Sequence, residues 1–286
     1  ATEHLSEEIE EAPANIAVDQ QIIAAHWRVP VDHVPPQAHY LSNGRLPTMI
    51  TNLNSGYSQW GRIALTRWRA DSTLDHWGTW IYLQDLESGE YWTAGTKIPP
   101  PGGSQYEVFF APHEVNFISH VRGINMQIRV TVPPEDDIEL RRVRISNVSN
   151  EIRRLALTSY GEVVLTEMDN DRRHPAFNKM VVESEFHNNL NALIFHRRPR
   201  AAGETPNYLL HGLIGPAGEL VRVKYESDRS RFLGRGRTPR EPLALDPNGP
   251  GLTGKTGYVL DPVFALRYEI DLVPHSSIEV TFITTA

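Results

Sequence analysis

The sequence predicts an all-β fold, a large sandwich of antiparallel sheets, on the strength of two alternating segments and the turn residues around them. From Ile124 to Val132 every second residue is apolar: Ile124, Met126, Ile128, Val130 and Val132. Successive strand side chains point to opposite faces, so such a segment buries one face and wets the other. The segment from Phe264 to Leu272 repeats the pattern. From His39 onward Gly, Pro, Asn and Asp break the chain into short runs, and no long 3.6-residue period follows residue 30. Strand–helix alternation is absent, so the expected layers are antiparallel sheets packed face to face.

Residues 1–30 read as a linker or helical lead-in, in which Pro13 interrupts a short apolar face of Ile16, Ile22 and Ile23. The sandwich is expected over residues 31–286. Each alternating segment meets a turn and a return strand. Val132 leads through Pro133, Pro134, Glu135, Asp136 and Asp137 to Ile138; Val273 leads through Pro274, His275, Ser276 and Ser277 to Ile278. Both read as hairpins, because proline and acidic or hydroxyl residues favour the bend. A further turn, Ser146 to Glu151, leads into a strand carrying Leu155 and Leu157. Residues 234–257, crowded with glycine and proline, read as a long loop.

Of the 286 residues, 40% are hydrophobic and 22% charged, which is enough apolar material for a core. The formal net charge of -7 argues against a nucleic-acid binder or an anionic-membrane binder, which call for a basic excess. With no cysteine there is neither a disulfide nor a thiolate metal site. No apolar run approaches the roughly 20 residues that span a bilayer, so no membrane contact by this segment is expected. The chain opens at Ala1 within an acidic stretch (Glu3, Glu7, Glu8, Glu10, Glu11), and the expectation is a piece of a longer polypeptide.

The signatures of several chemistries are missing. There is no His-Glu-x-x-His pair, no phosphate loop, no dinucleotide fingerprint around Gly234 and Gly236, and no Gly-x-Ser-x-Gly elbow. No cofactor or metal is expected. Acid–base work on a glycosidic bond needs two carboxylates. The pairs Asp71/Asp75, Asp136/Asp137 and Asp169/Asp171 are available, and all three read as turn and surface carboxylates. Two features stand out. All six tryptophans (Trp27, Trp60, Trp68, Trp77, Trp80 and Trp92) lie in the first third of the chain, where they either fill core or offer a flat face to a sugar ring; core is expected for about four. Arginines cluster at Arg197, Arg198 and Arg200, then at Arg229, Arg231, Arg235, Arg237 and Arg240, as a solvated face or a dock for an acidic partner domain.

Ordered motifs in and after the tryptophan-rich stretch resemble one known family. They are His39-Tyr-Leu-Ser-Asn-Gly-Arg45, Met49-Ile-Thr51, Gly56-Tyr-Ser-Gln-Trp60, Thr66-Arg-Trp-Arg-Ala-Asp71, Trp77-Gly78 and Tyr82-Leu-Gln-Asp85. The likeness continues through Pro134 to Asp137, Leu157 to Leu165, His174-Pro-Ala-Phe177 and Arg231 to Arg237, and covers nearly everything from His26 onward. The chain is similar to the cellobiose-phosphorylase-like region of the cyclic β-1,2-glucan synthases, related to inverting glycoside phosphorylases. The resemblance implies a β supersandwich, similar in fold to galactose mutarotase, followed by a helical linker and an (α/α)6 barrel that carries the catalytic acid. No residue here corresponds to that acid, so the resemblance implies a non-catalytic module of a glycosyltransferase or phosphorylase-type enzyme.

The implied partners are a β-glucan oligosaccharide and the downstream barrel of the same polypeptide; a homodimer is compatible with the resemblance. The parent is expected to be an inner-membrane protein with this module on the cytoplasmic side. In some relatives the loop matching His174 to Met180 reaches the acceptor sugar, which makes His174, Phe177, Asn178 and Lys179 the implied substrate contacts. Lys179 stands where cellobiose-using relatives have arginine, replacing a fork with a point charge. The loop is expected to be exposed. Tyr57, Trp60 and Trp68 are further candidates for contact with sugar. The competing functions are an independent carbohydrate-binding module and a mutarotase-like sugar enzyme, the latter on fold analogy alone.

Overall fold

The computed structural model describes residues 27–30, 36–71, 73–95, 98, 105–199 and 203–286. Among these, nineteen strands pair antiparallel in two sheets. The first sheet runs β1 (Trp27–Val29), β8 (Gln105–Ala111), β9 (Glu114–Val121), β10 (Ile124–Thr131), β11 (Ile138–Asn147) and β19 (Ser277–Thr285). It continues through β15 (Tyr208–Ile214), β14 (Ala192–Arg197), β13 (Val182–His187) and β17 (Gly257–Tyr258). The second runs β16 (Val223–Asp228), β18 (Pro262–Leu272), β12 (Arg153–Glu167), β5 (Ile63–Thr66), β4 (Gly56–Trp60), β3 (Thr48–Thr51) and β2 (Ala38–Leu41). On the same side of β12 as β5, its first half pairs with β6 (Trp80–Asp85), which in turn carries β7 (Tyr91–Thr93).

The alternation of β10 is realised: Ile124, Met126, Ile128 and Val130 are all buried, with Ile128 opposite Phe117 on one neighbour and Val143 on the other. Leu155, Leu157, Phe264 and Leu266 of the second sheet join them in one inter-sheet core. The sheet begins at Trp27, ahead of the boundary expected at residue 31, because Trp27, Arg28 and Val29 pair with Phe110, Phe109 and Val108. The rest of the expected lead-in, residues 1–26, lies outside the described residues.

One of the two expected hairpins is a hairpin, and the other is a change of sheet. β10 turns back onto β11. β18, however, belongs to the second sheet, and β19 leaves it to pair with β11 and β15 in the first. The connection from β11 to β12 crosses between sheets at the same corner. Asn147, fully buried there, aims its side-chain amide at the carbonyls of Glu151, Leu272 and Val273, at 2.7, 3.0 and 3.2 Å. A single amide thus satisfies the backbone of both crossings.

The second sheet is buried on both faces along β12. The expected loop at 234–257 acts as its cover. Phe232 and Leu233 of α3 (Arg229–Leu233), with Ala244 and Leu245 from a 3-10 turn, pack on Trp80, Tyr82, Tyr160, Val263 and Ala265. Tyr82 Oη donates to the Pro239 carbonyl at 2.8 Å and Gln84 Nε2 to that of Leu245 at 2.8 Å.

A polar row crosses the interior. Glu139, Thr284 and His211 sit opposite one another on β11, β19 and β15, all buried. His211 lies between Ser159 Oγ (2.9 Å from Nε2) and Thr284 Oγ1 (3.0 Å from Nδ1), its ring stacked 3.9 Å from Phe264. Burial, reinforced by the Arg141 charge, lowers its pKa to about 3. The fold therefore holds a neutral imidazole, while the unfolded chain takes up a proton below pH ~6.5. Stability is expected to fall as pH drops from 6.5 toward 3, by about 2 kcal/mol at pH 5 from this residue alone. Urea unfolding at pH 7 and pH 5 checks this: His211→Gln should remove most of the difference between the two, and an unchanged difference would contradict it.

Candidate functional site

Arg67 organises the region that the sequence marked. β5 ends at Thr66, and the next residues, Arg67, Trp68 and Arg69, alternate in direction. Arg67 donates to Glu162 Oε2 on β12 at 2.6 Å and grips Asp171 twice, Nη2 to Oδ1 at 3.0 Å and Nε to Oδ2 at 3.1 Å. Arg69 Nη2 adds a 2.5 Å contact to Asp171 Oδ2, and Arg229 Nε a 2.7 Å contact to Glu162 Oε1. The side chains of Arg67, Asp171 and Glu162 are 4%, 2% and 9% exposed. Three guanidinium groups against two carboxylates leave a local positive charge. Burial would raise both carboxyls, but the hydrogen bonds and charges of Arg67, Arg229 and Arg69 override it and hold both below their ordinary range.

This network fixes a projecting tip. A bulge in β12, where Leu165 takes φ 56, shifts the register against β5, and the chain leaves the sheet after Glu167 into α1 (Met168–Arg173). α1 sends Asp171 inward to Arg67. α2 (Pro175–Lys179) follows directly, with Pro175 at its first turn, where a missing N–H is harmless. The expected exposed loop is thus helical, and two of its implied sugar contacts face inward. Asn178 is buried; its Nδ2 donates to the Asn170 carbonyl at 2.7 Å and its Oδ1 accepts from Arg197 Nη2 at 3.1 Å. Lys179 is only 20% exposed and ion-paired with Asp261. The expectation of exposure is corrected for both, because polar partners on the sandwich draw them in. Arg172, Arg173, His174, Phe177 and Met180 stay on the surface, Phe177 at 53% and Met180 at 55%.

A second feature lies on the outer face of β2–β5. Register places Tyr40, Met49 and Tyr57 in one cross-strand row, and the Trp68 ring lies 5.8 Å from that of Tyr57. Burial and the hydrogen bond with Tyr40 push the Tyr57 phenol up to about 12, so it is neutral. The row borders a hollow of about 350 Å³ lined by Ala38, Met49, Thr51, Trp68, Asp71 and Asp75. Asp71 accepts the amides of Thr73 and Leu74 at 2.9 and 3.2 Å, and Asp75, which is buried, accepts from Thr51 Oγ1 at 3.2 Å. Trp60 is elsewhere: exposed at the end of β4, it donates to Asp137 Oδ2 at 2.9 Å beside Arg45 and Asn43, clasping the β10–β11 turn.

Several expectations change at this level. Trp80 and Trp92 are buried, Trp68 and Trp77 half-buried, Trp27 and Trp60 exposed, so fewer tryptophans fill core than expected. Asp75 and Asp171 are buried and partnered, not surface carboxylates. Arg197 and Arg229 serve the interior, whereas Arg231, Arg235, Arg237 and Arg240 are exposed; Arg200 lies outside the described residues. Sequence reasoning assigned no role to Arg67, Arg69 or Glu162, although Glu162 is the lone acid in the apolar run from Leu157 to Leu165.

Comparison with known proteins places this architecture. The model of the glycosyl hydrolase 94 supersandwich domain matches residues 25–286. The chain belongs to that family. It is 34% identical, over 86% of its length, to the cyclic beta-(1,2)-glucan synthase NdvB of Rhizobium meliloti, and spans 9% of that protein. It is 24% identical over 87% of its length to the N,N'-diacetylchitobiose phosphorylase of Vibrio proteolyticus, spanning 30% of it. Among solved structures it is similar to a bacterial glucoamylase complexed with acarbose (10% identity, 91% of this chain, 36% of that one, TM-score 0.49). A putative aldose 1-epimerase from Escherichia coli K12 is also similar (8% identity, 87% and 98%, TM-score 0.46). The supersandwich and the likeness to the glucan synthases and phosphorylases, expected from the motifs, are thereby shown.

The supersandwich's tip separates anchoring from display. Asp171→Ala should cost about 3–5 kcal/mol, since it removes two of the three carboxylate bonds of the buried Arg67 and the partner of Arg69. Phe177→Ala should change stability by less than about 0.5 kcal/mol. Urea unfolding at pH 7 measures both, and comparable losses for the two would contradict the assignment.

Proposed function

We propose that this supersandwich is a non-catalytic, substrate-positioning module of a β-glucan-processing enzyme, packed on a catalytic (α/α)6 barrel of the same polypeptide through the α1–α2 tip. One observation carries the reading: the tip shows His174, Phe177, Met180 and two arginines to solvent while buried ion pairs hold its backbone from beneath. A solvated loop needs no such anchoring, and a surface that must meet a partner in one geometry does. Membership of the glycosyl hydrolase 94 supersandwich family supports the reading, as does similarity to a named glucan synthase and a named phosphorylase. Lys179, held by Asp261, then positions the tip, and the glucan meets His174 and Phe177.

The hollow beside Tyr57 and Trp68 favours a second reading, that of a carbohydrate-binding module acting alone. Aromatic faces with nearby carboxylates suit a sugar ring and its hydroxyls. A mutarotase-like activity has less support. It needs an acid and a base converging on an open site, and the Ser159–His211 pair is sealed between the sheets.

The isolated chain, incubated with β-1,2-gluco-oligosaccharides and phosphate, should release no glucose 1-phosphate. In the full-length parent, Phe177→Ala should weaken acceptor use by roughly tenfold while leaving the fold intact, about the worth of one well-packed aromatic contact. Wild-type acceptor kinetics in that variant would end the positioning role. Oligosaccharide binding by the isolated chain that is lost in Trp68→Ala would favour the second reading.

A further inference from the structure

A cleft of about 460 Å³ opens at the edge of the cover, remote in sequence from the tip and the hollow. Its floor is the outer face of the second sheet. Register sets Lys224 opposite Arg267, and Arg267 opposite Thr158; in the next row Glu269 faces Ala156, and Ala156 faces Gln84. One wall is the Asp246 to Leu252 segment. A Cβ on Gly89 would meet Pro247 at 2.6 Å, and one on Gly249 would meet the Leu243 carbonyl at 2.2 Å, so the wall is pressed into place by close packing. An adjoining cleft of about 360 Å³ shares Lys224, Arg267 and Glu269 and adds Arg222 and Tyr268. Both volumes fall within the range of small-ligand sites.

The polar groups of this floor are incompletely used. Gln84, 4% exposed, donates to the Leu245 and Gly89 carbonyls but leaves Oε1 without a hydrogen-bond partner. Thr158, fully buried beside Arg267, likewise leaves Oγ1 without one. The Arg267 side chain is 10% exposed, and its one carboxylate partner among the described residues is Glu269, at 3.5 Å. That is a loose contact for a group with five donors. Burial lowers the Arg267 pKa, as expected for a guanidinium with too few partners. Lys224 shares Glu269 with Arg267, at 2.7 Å, and the lining of the larger cleft sets these two cations against two carboxylates, Glu269 and Asp246, so it has little net charge to offer an ion.

We propose that this cleft binds a neutral, polyhydroxylated ligand, a saccharide, whose hydroxyls accept from Arg267 and Lys224 and donate to Gln84 and Glu269. It is a site separate from the hollow and from the tip. Alternating donors and acceptors without net charge match sugar hydroxyls, which both donate and accept, better than a phosphate or a carboxylate, which only accepts.

Amide NMR spectra of the purified chain test the proposal, with sophorose as one titrant and inorganic phosphate as another. Sophorose should shift the backbone amides of Lys224, Gly249 and Gly251 and the side-chain amide of Gln84, with a Kd on the order of 1–10 mM. Arg267→Met, which keeps the side-chain length but not the donors, should weaken binding by at least about tenfold, and Glu269→Gln, at an exposed position, should weaken it less. Trp68→Ala should leave these shifts unchanged. The proposal is overturned if those amides do not respond to sophorose, if phosphate binds there more tightly, or if Glu269→Gln and a folded Arg267→Met both bind as the wild type does. None of these outcomes bears on docking through the tip.

Discussion

The Arg67 guanidinium is the constraint on which the projecting end of this domain depends. It joins its own stretch after β5 to two neighbouring elements far along the chain, Glu162 on β12 and Asp171 on α1. A charge this deeply buried is stabilised only when its partners are complete, so each segment fixes the others. Arg69 and Arg229 complete the carboxylates from the rim, where they remain partly exposed. The result is a tip two short helices long that is tied to the sheet beneath it. Helices of five or six residues have no stability of their own in water. Here the ion pairs, Asn178 and Lys179 supply what helix propensity cannot.

The second sheet explains why the open surfaces of this domain lie at its edges. Over β12 both faces are covered, the inner by the first sheet and the outer by α3 and the Gly/Pro-rich segment after it. Toward β2 the cover stops, and Tyr40, Tyr57 and Trp68 come to the surface around the hollow. At the opposite margin the cover leaves the cleft beside Lys224 and Arg267. The aromatic and polar residues of the outer face are therefore core or open surface according to how far the cover extends, not according to residue type. Tyr82 and Tyr57 make the point. Both lie on strands of the same sheet, and one is sealed beside Phe232 while the other is only half-buried.

Much of the fold was legible because strand periodicity is a local signal. The alternating residues of β10 and β18 and the turn after Ser146 stand where the pattern put them. Partner choice is not local: the pattern Phe264 to Leu272, turn, Ile278 to Phe282 specifies which side chains face inward and says nothing of which sheet each strand joins. The change of sheet rests on Asn147, more than a hundred residues away from Leu272, whose carbonyl it holds. The site was legible in the same partial sense. The family motifs enclosed Arg67, Trp68, Glu162 and Phe177, but direction was hidden. Asn178 and Lys179 look like donors on a polar loop until Arg197 and Asp261 are known to lie beneath them.

The central claim is that the Arg67 network, and not local helix propensity, holds the tip. Hydrogen exchange on Arg67→Met, compared with the unsubstituted chain, tests it most directly. The amides of residues 168–180 should lose protection by at least about a hundredfold, the effect of ~3 kcal/mol of lost anchoring. Those of β10 and β11, on the other sheet, should keep most of theirs. Unchanged protection across 168–180, or an equal loss throughout both sheets, would contradict the account.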